Sequence, residues 1–546
     1  MLADKKAIIP VVVTIICLIP FVNKAFNIDE PLFIWTAKHI LVKPADFYGF
    51  SVNWYGFNAP MSKITKNPPI SCYYLAGAAA LLGFNEAAIH TAFLLPAIAA
   101  ALGIYYLAKK FCSQPVYAAL AAILTPGFLV SSTNIMCDTM MLAFWVWAIY
   151  FWVEGIETNK YWNLFFAAVL VAICALTKYF GMSLLILLAV YSIMKTRRPG
   201  AWILFLLVPV VVLAGYQWLT YKLYGRGLLS DAAVYAGSRN LAKGLKLPLK
   251  LFTGLFFAGG CIVTALFCGL LLWSRRVLIS GIAATALFIL ILSAAKKIGA
   301  ADVRDTANNI NWGFLVQAGL MAAGGVSILW LGIVDFWKCR NAESLLLLLW
   351  VFGTFIFASL INWSVNARSV LPMVPAVGIL LMRRIERHNN KKTSRKIKME
   401  WMICPLICGA ILSLLVCRAD YIWANTTRSA AAVISKTFEN SGHAVWFQGH
   451  WGFQYYMEGK GCKAFDFSNS ICYSGDVIIV PVNNTNISSM KTNKLLSLKP
   501  FQFTACRGLS TMSLRLGAGF YADIWGPLPF AIGPVDAEKY YAFAVK

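Results

Sequence analysis

The sequence Asn27-Ile28-Asp29-Glu30-Pro31 sets two carboxylates side by side just past an apolar run over residues 7–25. Two roles fit them. They can complement the dipole of a helix that Pro31 opens, with Leu32, Trp35, Ile40 and Leu41 as its apolar face. One of them can instead be a general base at the membrane surface, tuned by burial or by the neighbouring acid. The same loop continues to Lys66-Asn67-Pro68-Pro69, where Lys66 is either solvated or turned to an anion. Asp138 follows another apolar run, as an N-cap or as a functional acid. Lys178-Tyr179 separates two more runs, where a lysine can snorkel to the interface. Arg226 lies in Gly225-Arg226-Gly227, and Asn366-Ala367-Arg368 precedes Leu371-Pro372-Met373-Val374-Pro375.

The elements that must position these groups are membrane spans. Of 546 residues, 59% are hydrophobic and 13% charged, against roughly 25% charged in an ordinary soluble domain. With a mean hydropathy of +0.67, this composition excludes a soluble enzyme, a disordered chain and a disulfide-stapled secreted module. Apolar runs near 7–25, 87–108, 115–133, 139–153, 161–176, 180–194, 201–220, 251–273, 277–295, 313–335, 343–361, 367–382 and 401–417 predict about 13 transmembrane helices. Basic residues mark alternate loops: Lys5-Lys6, Lys109-Lys110, Lys195 with Arg197-Arg198, Arg275-Arg276, Lys338 with Arg340, and Arg383 to Lys398. That alternation predicts a cytoplasmic N-terminus. The other loops, at 23–86 and 222–250, and the tail from 419 then lie outside the cytoplasm. The net charge of +25 is scattered between apolar runs, so anionic lipids and anionic substrates are the expected partners, not nucleic acid.

The chain therefore divides into a transmembrane domain, 1–418, and an extracytoplasmic domain, 419–546. Strand-like runs at Ala444–Phe447, Asp476–Val482 and Tyr540–Val545 predict a small α/β unit there. The predicted topology gathers Asp29, Glu30, Lys66, Asp138, Lys178, Arg226 and Arg368 on one face of the bilayer. Cations there can hold a phosphate while a carboxylate takes a proton from an attacking group. No Gly-rich phosphate loop is present. The five histidines form no HExxH or other ligand pattern, so no metal or cofactor is expected. The only cation the pattern leaves room for is one carried by a lipid phosphate. His450, beside Trp451, is a candidate contact for a sugar or phosphate.

The ordered set Asp29-Glu30, Asn67-Pro68-Pro69, Asp138, Leu176-Thr177-Lys178 and Ala367-Arg368…Leu371-Pro372…Pro375 resembles the GT-C class of membrane glycosyltransferases. It is most similar to the family of protein O-mannosyltransferases and lipid A aminoarabinose transferases. The run Gly449-His450-Trp451-Gly452-Phe453-Gln454-Tyr455-Tyr456 resembles the tail of bacterial members. As an architecture the resemblance covers nearly the whole chain. It implies a bacterial inner-membrane enzyme that moves a sugar from a polyprenyl-phosphate donor to a lipid, glycan or protein on the periplasmic face. By that resemblance Asp29 activates the acceptor with Glu30 beside it, and Asp138 positions acceptor or sugar. Lys178 would face the donor phosphate; Arg226 and Arg368 are candidates for the same phosphate on charge and position, and Tyr179 is a candidate substrate contact. The aminoarabinose transferases carry lysine directly before the two prolines; here Asn67 stands there and Lys66 one place earlier. A lipid flippase or transporter is the competing reading. It predicts inverted repeats and helices broken at mid-membrane, and the sequence shows no repeat.

Overall fold

The computed structural model describes residues 4–242, 247–390, 396–489 and 494–546. The parts of the basic loops that fall at 243–246 and 391–395 lie outside the described residues.

Among the described residues, eight helices are long and apolar enough to cross a membrane, and a ninth span forms if the bent pair Pro115–Ile123 and Pro126–Ser132 counts as one. The pair bends by 66°. Pro126 is the cause: it lacks an N–H, and it disfavours helical geometry at Thr125 before it. Thr125 Oγ1 then caps the new helix by accepting from Phe128 N. Tyr161–Thr177 and Leu247–Cys261 are shorter apolar helices. The expected span 251–273 is broken into Leu247–Cys261, Val263–Phe267 and Gly269–Leu272. The expected 367–382 begins with a short turn, Ala367–Val370, before Val374–Asn389.

Close helix crossings hold the bundle together. Leu247–Cys261 packs on Trp312–Cys339, where a Cβ on Gly259 would sit 1.9 Å from the Met321 carbonyl oxygen. Only glycine permits that approach, the usual device for packing helices in lipid. Arg275–Ser293 buries none of its span against protein, as expected of a helix facing lipid.

The helix Ile403–Phe438 runs through position 418 without a break. Its last turns form the floor of the C-terminal unit: Ala430, Ala431 and Ile434 pack with Phe447, Phe453, Val477, Ile479, Tyr540 and Ala542 in a small core of their own. Among the described residues, the sheet above has six strands. Val445–Phe447 pairs in parallel with Val477–Pro481 (Trp446 opposite Ile478) and with Lys463–Ala464. Glu538–Val545 pairs antiparallel with Val477–Pro481, Ala542 opposite Ile479. Val477, Ile479, Tyr540 and Ala542 alternate onto the buried face, as strand pleating requires. Cys462, Cys472 and Cys506 are free thiols.

The remaining tail, residues 505–535, packs on the transmembrane bundle. Its backbone bonds to a loop between spans: Ala367 N donates to Phe520 O and Asp523 N to Val365 O, each at 2.9 Å. The Gly449–Gly452 motif is a second docking point. A Cβ on Gly452 would lie 1.9 Å from the Phe26 carbonyl oxygen, so the tail helix Trp451–Gly459 abuts the chain just before Asp29.

Candidate active site

Asp29 and Asp138 stand at the N-terminal ends of two helices, Glu30–Val42 and Cys137–Thr158. Helix dipoles favour anions there. Lys178 ends the helix Tyr161–Thr177, where a cation is favoured for the same reason. Arg368 sits in the turn that Asn366 opens by accepting from Ser369 N at 2.9 Å. The fold brings these four side chains together. Lys178 Nζ donates to Asp138 Oδ1 at 2.5 Å. Arg368 lies 3.4 Å from Asp29 Oδ2 and 3.9 Å from Asp138 Oδ2.

All four line one cavity of about 1000 Å³ with an open mouth. Its walls mix apolar residues (Leu32, Phe33, Met61, Ile64, Phe180, Phe357, Ile361) with polar ones (Thr36, Asn67, Gln217, Asn240, Asn362, Ser369). The cluster is not fully satisfied. Asp138 Oδ2 and Arg368 Nε are buried without a hydrogen-bond partner, and both contacts of Arg368 to carboxylates are longer than the 2.7–2.9 Å usual for charge-assisted bonds, while its Nη1 lies 2.7 Å from Met136 Sδ. Asp29 makes no capping bond to its helix. Its side chain is 31% exposed, against 2% for Asp138.

The other expected residues divide. Lys66 lines the cavity, with its Nζ donating to Lys63 O at 2.8 Å. Its ammonium and the Arg239 guanidinium lie 5.5 and 5.2 Å from the Tyr235 ring centroid. Among the described residues, neither has a carboxylate within ion-pair distance. Burial, and then nearby Arg226, draws the Lys66 ammonium below the ordinary lysine range. Tyr179 lines the cavity and shares a 3.1 Å hydroxyl contact with Tyr216.

Three expected residues lie outside the lining. Glu30 is fully buried and accepts from Asn27 N at 2.7 Å and Ile135 N at 2.8 Å. It staples the first loop to the start of the Asp138 helix, and burial pushes its carboxyl up to about 7. Arg226 is taken by a local ion pair with Asp231. His450 is buried under Trp54 (5.4 Å between rings), with Nδ1 3.1 Å from Gln454 Oε1, and burial lowers it to about 4. Its place is the tail–loop contact, not the cavity wall.

Sequence reasoning missed Tyr521, which reaches the cavity from the far end of the chain. It also missed Lys24 and Asp420, which meet behind the cavity at 2.6 Å with no exposure. A usable signal existed for the pair: ionisable residues of opposite sign within or at the edge of apolar runs, which are costly in membranes unless paired. At the opposite end of the bundle a cavity of about 730 Å³ holds none of the expected residues. Among the described residues, no three His, Cys, Asp or Glu side chains gather as metal ligands.

Residues 66–218 match the family model described as dolichyl-phosphate-mannose-protein mannosyltransferase. That segment holds Lys66, Asp138 and Lys178 but neither Asp29 nor Arg368. No curated protein matches the chain in sequence. Among solved structures, ArnT from Cupriavidus metallidurans bound to undecaprenyl phosphate is similar at a TM-score of 0.50 and 12% identity, covering 88% of this chain and 94% of that one. The oligosaccharyltransferase of Archaeoglobus fulgidus, tethered with an acceptor peptide, is 12% identical at a TM-score of 0.47. That match covers 85% of this chain but 64% of the archaeal one, so the chain spans less than two thirds of that protein. Residues 66–218 are thus similar to the protein mannosyltransferases, and the chain shares its fold with ArnT.

Proposed function

We propose that the chain transfers a sugar from a polyprenyl-phosphate donor to a lipid, glycan or protein acceptor at the cavity mouth. The observation that carries this reading is the convergence of Asp29, Asp138, Lys178 and Arg368 on one cavity with both apolar and polar walls. The apolar wall suits a prenyl chain, and the polar groups suit a sugar. Arg368 and Lys178 face the donor phosphate, and Lys66 meets it at the mouth. Asp29, the more exposed acid, is the base. The acceptor O–H or N–H attacks the anomeric carbon, its proton passes to Asp29, the bond from that carbon to phosphate oxygen breaks, and polyprenyl phosphate leaves. A single displacement inverts the anomeric centre and needs no glycosyl-enzyme or metal. Asp138, nearly sealed and paired with Lys178, holds the two cations in place.

The basic clusters of the opposite end support a cytoplasmic N-terminus and a periplasmic cavity in a bacterial inner membrane. Glu86, at the cavity end, and Phe111, at the other, are joined by a helix of 26 residues, about 39 Å long. Beside its far end lie the ion pairs of Lys195 with Glu343 and of Arg383 with Asp335, Arg383 also donating to Phe111 O and Lys195 sharing Glu157 with Lys110.

The test is direct. Purified full-length protein in detergent is given radiolabelled polyprenyl-phosphate sugar and a membrane extract. Label should move to an acceptor and polyprenyl phosphate should appear, with or without EDTA. A donor that stays chemically intact overturns the reading in favour of a transporter; loss of transfer in EDTA alone overturns the metal-free step.

A further inference from the structure

Lys24 ends the first apolar run, and its side chain has no contact with solvent. A buried ammonium at that depth is tolerated only if its three N–H groups find acceptors. They do: Lys24 Nζ lies 2.6 Å from Asp420 Oδ2, 2.7 Å from Asn134 Oδ1 and 3.4 Å from Thr133 Oγ1. Asp420 is equally sealed. It also accepts O–H bonds from Thr511 at 2.7 Å and Tyr521 at 2.8 Å. The partners come from the first span, the turn before Asp138, the long helix Ile403–Phe438 and the C-terminal segment. A fully satisfied buried network of this kind rigidifies the structure around it.

What it fixes is Tyr521. The hydroxyl is held by Asp420, and the ring reaches the cavity wall, with its centroid 5.7 Å from the Arg368 guanidinium carbon. The adjoining backbone is held as well, by the bond from Ala367 N to Phe520 O. The carboxylates do not fix Arg368 by themselves, because their contacts are long, at 3.4 and 3.9 Å, and the 2.7 Å contact of Nη1 with Met136 Sδ holds one corner of the guanidinium while leaving its face to the Tyr521 ring. We infer that Tyr521 is a positioning residue: its ring sets the Arg368 guanidinium toward the donor phosphate, and the buried Lys24–Asp420 pair anchors it. The C-terminal segment then completes the active site. This rests on the reading of Arg368 as a phosphate ligand.

The experiment uses the full chain in detergent and undecaprenyl phosphate as the probe, with equilibrium binding measured for wild type, Arg368→Gln, Tyr521→Leu and the double variant. Arg368→Gln should weaken binding about tenfold or more, the scale of a lost charge-assisted bond. Tyr521→Leu should weaken it about 3- to 30-fold, the range of a partly desolvated cation–π contact. The double variant should bind no more weakly than Arg368→Gln alone, because a residue acting through Arg368 has nothing left to position. Losses that multiply show Tyr521 acting independently and overturn the inference while leaving Arg368 as a ligand. Unchanged binding in Arg368→Gln overturns that ligand role and the inference with it. If Tyr521→Leu does not fold, Tyr521→Phe keeps the ring and removes its anchor. It should weaken binding about two- to fivefold, only while Arg368 is present; unchanged binding there overturns the anchoring role.

Discussion

Two clusters of acids and bases lie at the same end of the bundle and share Tyr521. One is sealed: Lys24 and Asp420 have no exposure, and every polar atom of theirs has a partner. The other, around Asp29, Asp138, Lys178 and Arg368, opens on the cavity and leaves buried polar atoms unpaired. Similar residue types thus have different tasks. A sealed, satisfied pair sets geometry, whereas an exposed and under-satisfied group retains bonding capacity for a substrate. Substitutions in the first should therefore damage folding, and substitutions in the second should damage turnover.

Asp29→Asn separates the two most sharply. The amide cannot take a proton, and a general base is typically worth about 10²–10⁴ in rate. Transfer should fall by that factor with Tm unchanged. A variant that keeps wild-type turnover removes Asp29 from the mechanism and erases the contrast. Lys24→Met is the counterpart in the sealed cluster. It leaves Asp420 charged and buried beside hydroxyls alone, which costs about 3–5 kcal/mol. Thermal unfolding should drop steeply, and adding Asp420→Asn should recover much of the loss. A Lys24→Met protein as stable as wild type would mean that this pair does not set geometry.

A pH scan sharpens the same contrast at the tail. His450 is held at about 4 by burial, below its ordinary 6.5. As pH falls below 6.5 the unfolded chain takes up the proton first. The stability contributed by neutral His450 is therefore full above 6.5 and is lost as pH falls toward 4. The difference amounts to about 3 kcal/mol. Glu30 and Glu538, both raised to about 7 by burial, act in the opposite sense and gain stability between 7 and 4.5. The comparison must therefore be with His450→Gln. That variant should lose less Tm than wild type between pH 7.5 and 4.5, and equal losses would show that the histidine's burial is not sensed.

The sequence reveals those site residues whose position follows from where an apolar run ends. Asp29, Asp138, Lys178 and Arg368 each stand at such an end, and topology alone collects them on one face. It does not reveal which way a neighbour points. Glu30 follows Asp29 directly, yet a helical step of about 100° per residue, after Ile28 at φ +50°, turns it into the protein. Arg226 has a partner five residues ahead that satisfies it locally. The helix that carries the last apolar run continues past the domain boundary drawn at 418 because polarity changes there while nothing stops the helix: no Gly or Pro occurs from 410 to 438. Tyr521 lies in a stretch of two-residue strands and turns without periodicity, and only the long-range contacts to Asp420 and Arg368 bring it to the cavity.

Lys178→Gln carries the smallest of the expected effects and tests where the open cluster divides its labour. Lys178 neutralises Asp138 at 2.5 Å and is itself 20% exposed at the cavity wall. Glutamine can still donate one hydrogen bond to Asp138, so the fold should hold, with Tm within a few degrees of wild type. Asp138 is then balanced by Arg368 alone, which draws the guanidinium from Asp29 toward Asp138. Both changes lessen the positive charge offered to a phosphate. The KM for donor should rise about tenfold, the scale of one charge-assisted bond, with kcat changed less. If kcat falls as steeply as in Asp29→Asn while KM stays put, Lys178 acts in the proton transfer, and the division between base and phosphate ligands must be redrawn around it.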